Sequence, residues 1–344
     1  MRLIHVDNIT SDMTLGRPIF HEGRKLLEQG VSNLPLYKNR LKEIGVNYLY
    51  VNDELSRNIE INDVVKQETK QKGKKVIRQA FKDIRLNKKL NVKQIKKTVN
   101  DIVDEILNEN RVLVNMIDLK KFDTYTFDHS INVTILSLLV GKFMDYNRKK
   151  LAKIGLGSIL HDIGKGLIPE DIIKKEGKLT DEEYEVVKKH PRLGYNHIRD
   201  NYKMISPLSR TIILGHHERI DGSGYPRGIE NEEIHEFAKI AAITDVFDAL
   251  TSDRVYRDKM PIPQAIDFLT SRSSTYFEKK ILKVFLRHLA IYPNGTEILL
   301  SNGKKAIVKE QNKNYPTRPV VITVEEKKEI NLLEELNLVI KKVV

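Results

Sequence analysis

Between Leu113 and Ala290 the sequence reads almost wholly helical, and metal-ligand side chains recur through that block at nearly one pace. His129, His161, His190, His216 and Asp245 are separated by 32, 29, 26 and 29 residues. Each interval is about the length of one or two helices plus a turn. Asp162 follows His161, and His217 follows His216, each pair ending an apolar run. Helices packed side by side would bring these donors into one layer of a bundle. Pro and Gly are densest in three loops, Gly164 to Pro169, Pro191 to Gly194 and Gly222 to Gly228, which adjoin three of the histidine positions.

The donor types narrow the chemistry. The chain of 344 residues has no cysteine, which removes disulfides, thiolate zinc sites and cysteine nucleophiles, and fits a reducing compartment. Imidazoles and carboxylates without thiolates suit Fe, Mn, Zn or Ni. Seven donors are too many for one ion and about right for two with a bridging carboxylate. Two metals about 3.5–4 Å apart can ionise a water and clamp the oxygens of an in-line displacement at phosphorus. Any one histidine in an apolar helix is more often a core or surface residue than a ligand. The set is what stands out: five histidines and two aspartates in one helical block, most of them beside a loop or glycine. His5, His21, His197, His235 and His288 lack that pattern.

These residues also resemble a known family. His161-Asp162-Ile163-Gly164-Lys165 is similar to the HD signature of metal-dependent phosphohydrolases. The run from His216 to Pro226, HHERIDGSGYP, matches the HHExxDGxGYP pattern of the HD-GYP subgroup. His190-Pro191-Arg192-Leu193-Gly194 fits its HPxxG element. Asp245 to Leu250 and Arg254 to Arg257 match its closing motifs. The resemblance covers about residues 115–290 and implies a helical HD bundle that hydrolyses cyclic di-GMP to pGpG or GMP by attack of a metal-bridging hydroxide. It implies that His129, His161, Asp162 and Asp245 hold one metal and that His190, His216 and His217 hold a second, with Asp162 bridging. Fe or Mn is the expected metal, with Zn or Ni as alternatives. Lys165 would hold the scissile phosphate, Asp248 would orient Lys165, and Arg254 and Arg257 would contact the substrate phosphates. Gly224, Tyr225 and Pro226 would shape the substrate cleft or dock a protein partner. Some members carry a Glu four residues before the first histidine and bind a third metal. Tyr125 stands there in this chain, so a binuclear site is expected. Two alternatives stay open: an HD hydrolase of another cyclic dinucleotide or nucleotide, and a non-catalytic adaptor that binds cyclic di-GMP.

The flanks read differently. The fold expected is mainly α, with a small α+β unit over 1–60, basic amphipathic helices over 61–112, the HD-GYP domain over 113–290 and a β-rich extension over 291–344. In the first unit, Arg2 to Ile9 alternates like a strand, and a hairpin turn is expected at His21 to Arg24. Asn33 is expected to cap a helix that stops at Gly45, and Val46 to Val51 reads as a strand. Ile77, Phe81 and Ile84, then Ile95, Val99, Ile102 and Ile106, predict two amphipathic helices broken at Asn87 to Asn91. In the extension, Ser301-Asn302-Gly303-Lys304 between alternating runs predicts a hairpin, and Pro319 to Val324 another strand.

Charge is concentrated in one place. The chain has 59 Lys+Arg against 47 Asp+Glu, a formal +12. Between Lys66 and Lys97, thirteen cations face only Glu68 and Asp83, so this segment carries +11 and the other 312 residues +1. With Phe81 its only aromatic, the segment lacks the aromatic interleaving and the motifs of a nucleic-acid binder. A solvated face, an acidic protein partner or a second subunit in a homodimer is the preferred reading. The longest stretch without charged residues, His129 to Gly141, is too short to cross a bilayer. The first residues lack an apolar leader, so a soluble cytoplasmic protein with no membrane partner is expected.

Overall fold

The computed structural model describes residues 1–344 except 22, 23, 62, 109–124, 176, 253–259 and 314; of residues 125 and 126 only the backbone is described. The chain begins with β1 (Arg2–His5), β2 (Thr14–Leu15), β3 (Ile19–His21), β4 (Arg24–Leu27), α1 (Lys38–Glu43) and β5 (Tyr48–Asn52). Strands β1, β5 and β2 form an antiparallel sheet, and β3 and β4 pair as a hairpin. Asn33 is not a helix cap. It adopts a left-handed conformation with φ 53° and no capping hydrogen bond, a shape asparagine tolerates better than most residues. A 3-10 turn over Leu34–Tyr37 then leads into α1, and Gly45 ends the helix with φ 77°.

Helices follow: α2 (Gln67–Arg85), α3 (Val92–Asn108), α4 (Tyr125–Phe143), α5 (Arg148–Ile159), α6 (Glu170–Ile173), α7 (Asp181–Val187), α8 (His190–Asn201), α9 (Pro207–Gly215), α10 (Glu236–Thr251), α11 (Ile262–Ser271) and α12 (Lys279–Arg287). The chain closes with β6 (Glu297–Leu300), β7 (Lys305–Glu310), β8 (Val320–Thr323), β9 (Glu329–Asn331) and β10 (Ile340–Val343). These five form an antiparallel sheet in the order β10-β6-β7-β8-β9. The β6–β7 turn holds Gly303 at φ 84°, the backbone shape for which an Asn-Gly pair is suited. Strands β9 and β10 had no clear sequence signal.

Two compact units result. One is built from both ends of the chain, residues 1–63 with 287–344. Its halves share a core in which Tyr50, Ile59 and Ile61 meet Ile307, and Arg2 pairs with Glu297 at 3.3 Å.

The other unit contains the described residues within 64–110 and 124–286. Helix α4 is its centre. Residues 128–141 are buried on every side, as an all-round apolar helix must be. The uncharged run that is too short for a bilayer is therefore the axis of a bundle. Helix α10 is buried along most of its length and packs on α4, where the Ser137 and Thr244 hydroxyls bond at 2.8 Å. Helix α2 is basic, whereas in α3 Lys93, Lys96 and Lys97 are matched by Asp101, Asp104 and Glu105, and both helices belong to this unit. Their apolar faces carry Ile77, Phe81 and Ile84, and Ile95, Val99, Ile102 and Ile106, all buried. Lys74 reaches inward to an ion pair with Asp128, beside His129.

Candidate metal centre

Five imidazoles and two carboxylates meet inside the helical unit. His129 comes from α4 and Asp245 from α10, the two central helices. His161 and Asp162 lie in the turn after α5, His190 opens α8, and His216 and His217 follow α9. All are buried except His217, which is partly exposed.

Two glycines allow this convergence. A Cβ at Gly164 would lie 2.0 Å from the His190 carbonyl oxygen, and one at Gly194 would lie 3.0 Å from Gly164 N. Only bare backbone lets the 3-10 turn over Ile163–Leu167 rest on the first turns of α8. That contact brings His190 Nε2 to 3.2 Å from Asp162 Oδ1.

The proton positions follow from the partners. His161 Nδ1 lies 2.7 Å from the Ser158 carbonyl and His190 Nδ1 lies 2.8 Å from that of Val187. His216 Nδ1 faces the carbonyls of Ile212 and Ile213 at 3.1 and 3.2 Å. A carbonyl only accepts, so in each ring Nδ1 carries the proton and the neutral ring's lone pair sits on Nε2. Those Nε2 atoms point at one another: His161 lies 3.2 Å from His129, and His190 lies 3.3 Å from His216. Neighbouring ligands about 2.1 Å from a shared ion stand roughly 3.0–3.4 Å apart, so the spacing fits ligation.

Asp162 lies between the two pairs. Its Oδ1 is 3.2 Å from His190 Nε2 and 3.8 Å from His216 Nε2, and makes no hydrogen bond among the described residues. Its Oδ2 is 3.4 Å from His161 Nε2 and 3.7 Å from His129 Nε2. Lys165 Nζ donates to Oδ2 at 2.6 Å, and 27% of the lysine side chain is exposed. Asp245 reaches both halves, with Oδ1 3.0 Å from His129 Nε2 and Oδ2 3.6 Å from His217 Nδ1. A buried carboxylate oxygen without a donor, surrounded by imidazole lone pairs, is donor chemistry that suits divalent cations.

Electrostatics favour ionised carboxylates at Asp162 and Asp245 and neutral rings at three of the histidines. Burial opposes the charge on Asp162, but Lys165 and the imidazoles of His161 and His190 outweigh it and hold the carboxyl well below its usual range. Asp245 is lowered likewise, by His129, His217 and His161 against its burial. Burial lowers His190, and lowers His216 and His217 far more, with adjacent imidazoles adding to the effect. His129 differs: burial disfavours its charge, but Asp245 and Asp248 on either side raise it to about 9.

Asp248 has a role other than the one expected. Instead of orienting Lys165, its Oδ2 takes the His129 Nδ1 proton at 2.7 Å, and Asn132 donates to its Oδ1 at 2.9 Å. It orients the His129 ring through Nδ1. Asn132 and the Gly164–Gly194 contact had no sequence signal that separated them from ordinary core positions. Glu218 was within the matched motif, but its role was not evident. It is buried, and its carboxylate accepts the backbone N–H groups of Arg227, Gly228 and Ile229 at 2.9, 3.1 and 3.3 Å. It staples the loop holding Gly224, Tyr225 and Pro226. At Gly224 a Cβ would meet Arg219 N at 2.3 Å, and the Tyr225 ring stacks on His217 at 4.6 Å. Arg254 and Arg257 lie outside the described residues, as does the side chain of Tyr125.

Residues 111–281 match the HD domain family. The chain is 33% identical over 241 residues to a cyclic di-GMP phosphodiesterase of Pseudomonas aeruginosa, an alignment covering 70% of this chain and 58% of that protein. It is 31% identical over 195 residues to a 3'3'-cGAMP-specific phosphodiesterase of Vibrio cholerae, covering 55% and 43%. Its fold resembles that of a HDG"Y"P protein from Bdellovibrio bacteriovorus, with a TM-score of 0.54 at 19% identity over 82% of this chain and 97% of that one. The chain therefore carries an HD domain over residues 111–281. Its matched region spans about half the length of the curated relatives.

Proposed function

We propose that the chain is a metal-dependent phosphodiesterase that hydrolyses cyclic di-GMP to pGpG, GMP or both. The observation that carries this reading is the Asp162 carboxylate, each oxygen facing one pair of imidazole Nε2 atoms. On this reading two divalent ions, Fe or Mn in preference to Zn or Ni, are held in a binuclear centre. His129, His161 and Asp245 would hold one, His190, His216 and His217 would hold the other, and Asp162 would be shared between them. Such ions supply a nucleophilic hydroxide at neutral pH and draw charge from phosphoryl oxygens.

The chain's own groups do the rest. The partly exposed Lys165 ammonium exchanges Asp162 for a phosphoryl oxygen and offsets charge on the leaving 3′-oxygen. Asp248 holds the His129 ring in place through Nδ1. Arg254 and Arg257 bind substrate phosphates as guanidinium forks. The stapled loop presents Tyr225 beside His217 as one wall of the cleft. A cytoplasmic setting goes with a nucleotide messenger as substrate.

The test is a time course with cyclic di-GMP and Mn²⁺ or Fe²⁺, run beside elemental analysis. Formation of pGpG or GMP is expected; no turnover with metal demonstrably bound sinks the proposal and leaves the adaptor reading. The likeness to a 3'3'-cGAMP-specific relative favours a second substrate reading. A panel of cyclic dinucleotides ranked by kcat/KM separates the two.

A further inference from the structure

The charge concentrated between Lys66 and Lys97 has no part in the chemistry above. Lys72, Lys75 and Lys82 on α2 and Leu86 at its C-terminal cap follow one another at i, i+3, i+10 and i+14, which is one line along the outer face of a helix. Lys88 and Lys89 continue it through the turn, and Lys93 and Lys97 add the exposed start of α3. These seven lysines are all exposed, and none forms an ion pair among the described residues. The arginines of the segment are already engaged: Arg85 pairs with Glu170 at 2.8 Å, and Arg78 lies over the Phe127 ring.

A second observation sits at the same end of the hairpin. Leu86 is 52% exposed and Met204 is 64% exposed. The turn carrying Met204 is tied there, because Leu90 N–H donates to the Tyr202 hydroxyl at 2.8 Å and Lys96 Nζ donates to the Met204 carbonyl at 2.9 Å. Two bare apolar side chains therefore project from one end of the helical unit, amid lysines.

We propose that this end of the α2–α3 hairpin docks on an anionic lipid headgroup layer. Point charges on long flexible stems suit a fluid array of phosphates, and each basic residue near such a surface adds attraction. Leu86 and Met204 suit the boundary between headgroups and acyl chains. Nucleic acid suits the surface less well: Phe81 is buried, so the segment offers no ring for base stacking. A protein interface draws on aromatics and arginine and is depleted of lysine. Surface docking of this kind needs no membrane-spanning helix, and none of the described helices is long and apolar enough to be one.

The experiment is co-sedimentation of the full chain with vesicles of phosphatidylcholine alone and of phosphatidylcholine with phosphatidylglycerol, at low and at high salt. Binding is expected only to the phosphatidylglycerol vesicles and is expected to weaken as salt rises. At about fivefold per lysine, a Lys75→Ala/Lys82→Ala/Lys89→Ala variant should bind roughly a hundredfold more weakly. Its unfolding midpoint and metal content should stay unchanged, since all three side chains are exposed. Leu86→Ser should keep the low-salt binding and lose what survives at high salt. Equal binding to both vesicles, wild-type binding by the triple variant, or retention of RNA with no vesicle binding would overturn the proposal. None of these readouts depends on hydrolysis of any substrate.

Discussion

Asp248 links the sequence pattern to the centre through a single ring. It accepts the His129 Nδ1 proton and is itself held by Asn132. Removing it by Asp248→Ala leaves both donors buried without their acceptor and frees the imidazole to turn. Partners behind a ligand typically contribute tenfold to hundredfold in affinity. Asp248→Ala should weaken Mn²⁺ binding by about that factor in chelator competition, and unchanged affinity would sink the role given to it. Protonation at the same scale sets a pH dependence for the chelated protein. His190, His216 and His217 have folded pKa values below the ordinary one, lowered first by burial. Below about pH 6.5 the unfolded chain takes up protons that the folded chain refuses, so their contribution falls with pH. His129 acts in the opposite sense: with its pKa raised to about 9, its contribution is full below about pH 6.5 and is lost as pH rises through 9. The urea midpoint of chelated protein should therefore drop between about pH 7 and about pH 5.5; a flat or rising midpoint would contradict the assignment of three neutral rings.

At the scale of elements, the centre depends on turns as much as on helices. The 3-10 turn after Asp162 rests on α8 because Gly164 and Gly194 meet backbone to backbone. A methyl at Gly164 drives into the His190 carbonyl, and overpacking of that kind costs about 1–3 kcal/mol, occasionally more. Gly164→Ala should lower the unfolding midpoint and, by moving His190 off Asp162, reduce the bound metal; full metal content in a folded variant would refute this coupling. Glu218→Ala acts on the other turn. It leaves three backbone N–H groups without an acceptor and should lower kcat/KM while metal content stays at the wild-type level, because the staple holds a loop and not a ligand. The histidines and aspartates that converge were legible because most of them sit in local motifs, runs of a few residues whose spacing survives in one dimension. The helices α2 and α3 were legible from their 3.6-residue period. What could not be read depends on contacts distant in sequence: Asn132 with Asp248, Gly164 with Gly194, and the shared core of Tyr50, Ile59, Ile61 and Ile307. Asn33 misled for a local reason, since the same side chain that caps helices also tolerates a left-handed backbone.

For the whole molecule, the charge and the centre are separate matters. The surplus of +11 lies between Lys66 and Lys97, while the other 312 residues carry +1. A general basic field therefore contributes little at the centre; under the proposed function, affinity for a dianionic substrate comes from Lys165, Arg254, Arg257 and bound cations. The buried imidazoles and two carboxylates make the cations matter for stability as well. A ligand that binds the folded chain alone stabilises it by about 2.7 kcal/mol at a hundredfold excess over its Kd. Adding Mn²⁺ to chelated protein should raise the midpoint of the helical unit's transition, and the gain should disappear in a His161→Ala/Asp162→Ala variant, which loses a pair from one half and the bridge between both. Under the proposed function, a bridging Asp162 also sets the stoichiometry. Asp162 has two carboxylate oxygens, each facing one histidine pair, and Tyr125 stands where a third-metal ligand would be expected, so saturated protein should hold two ions per chain. Elemental analysis after desalting decides it: one ion would mean that the carboxylate does not bridge, and three would mean that another group replaces the missing glutamate.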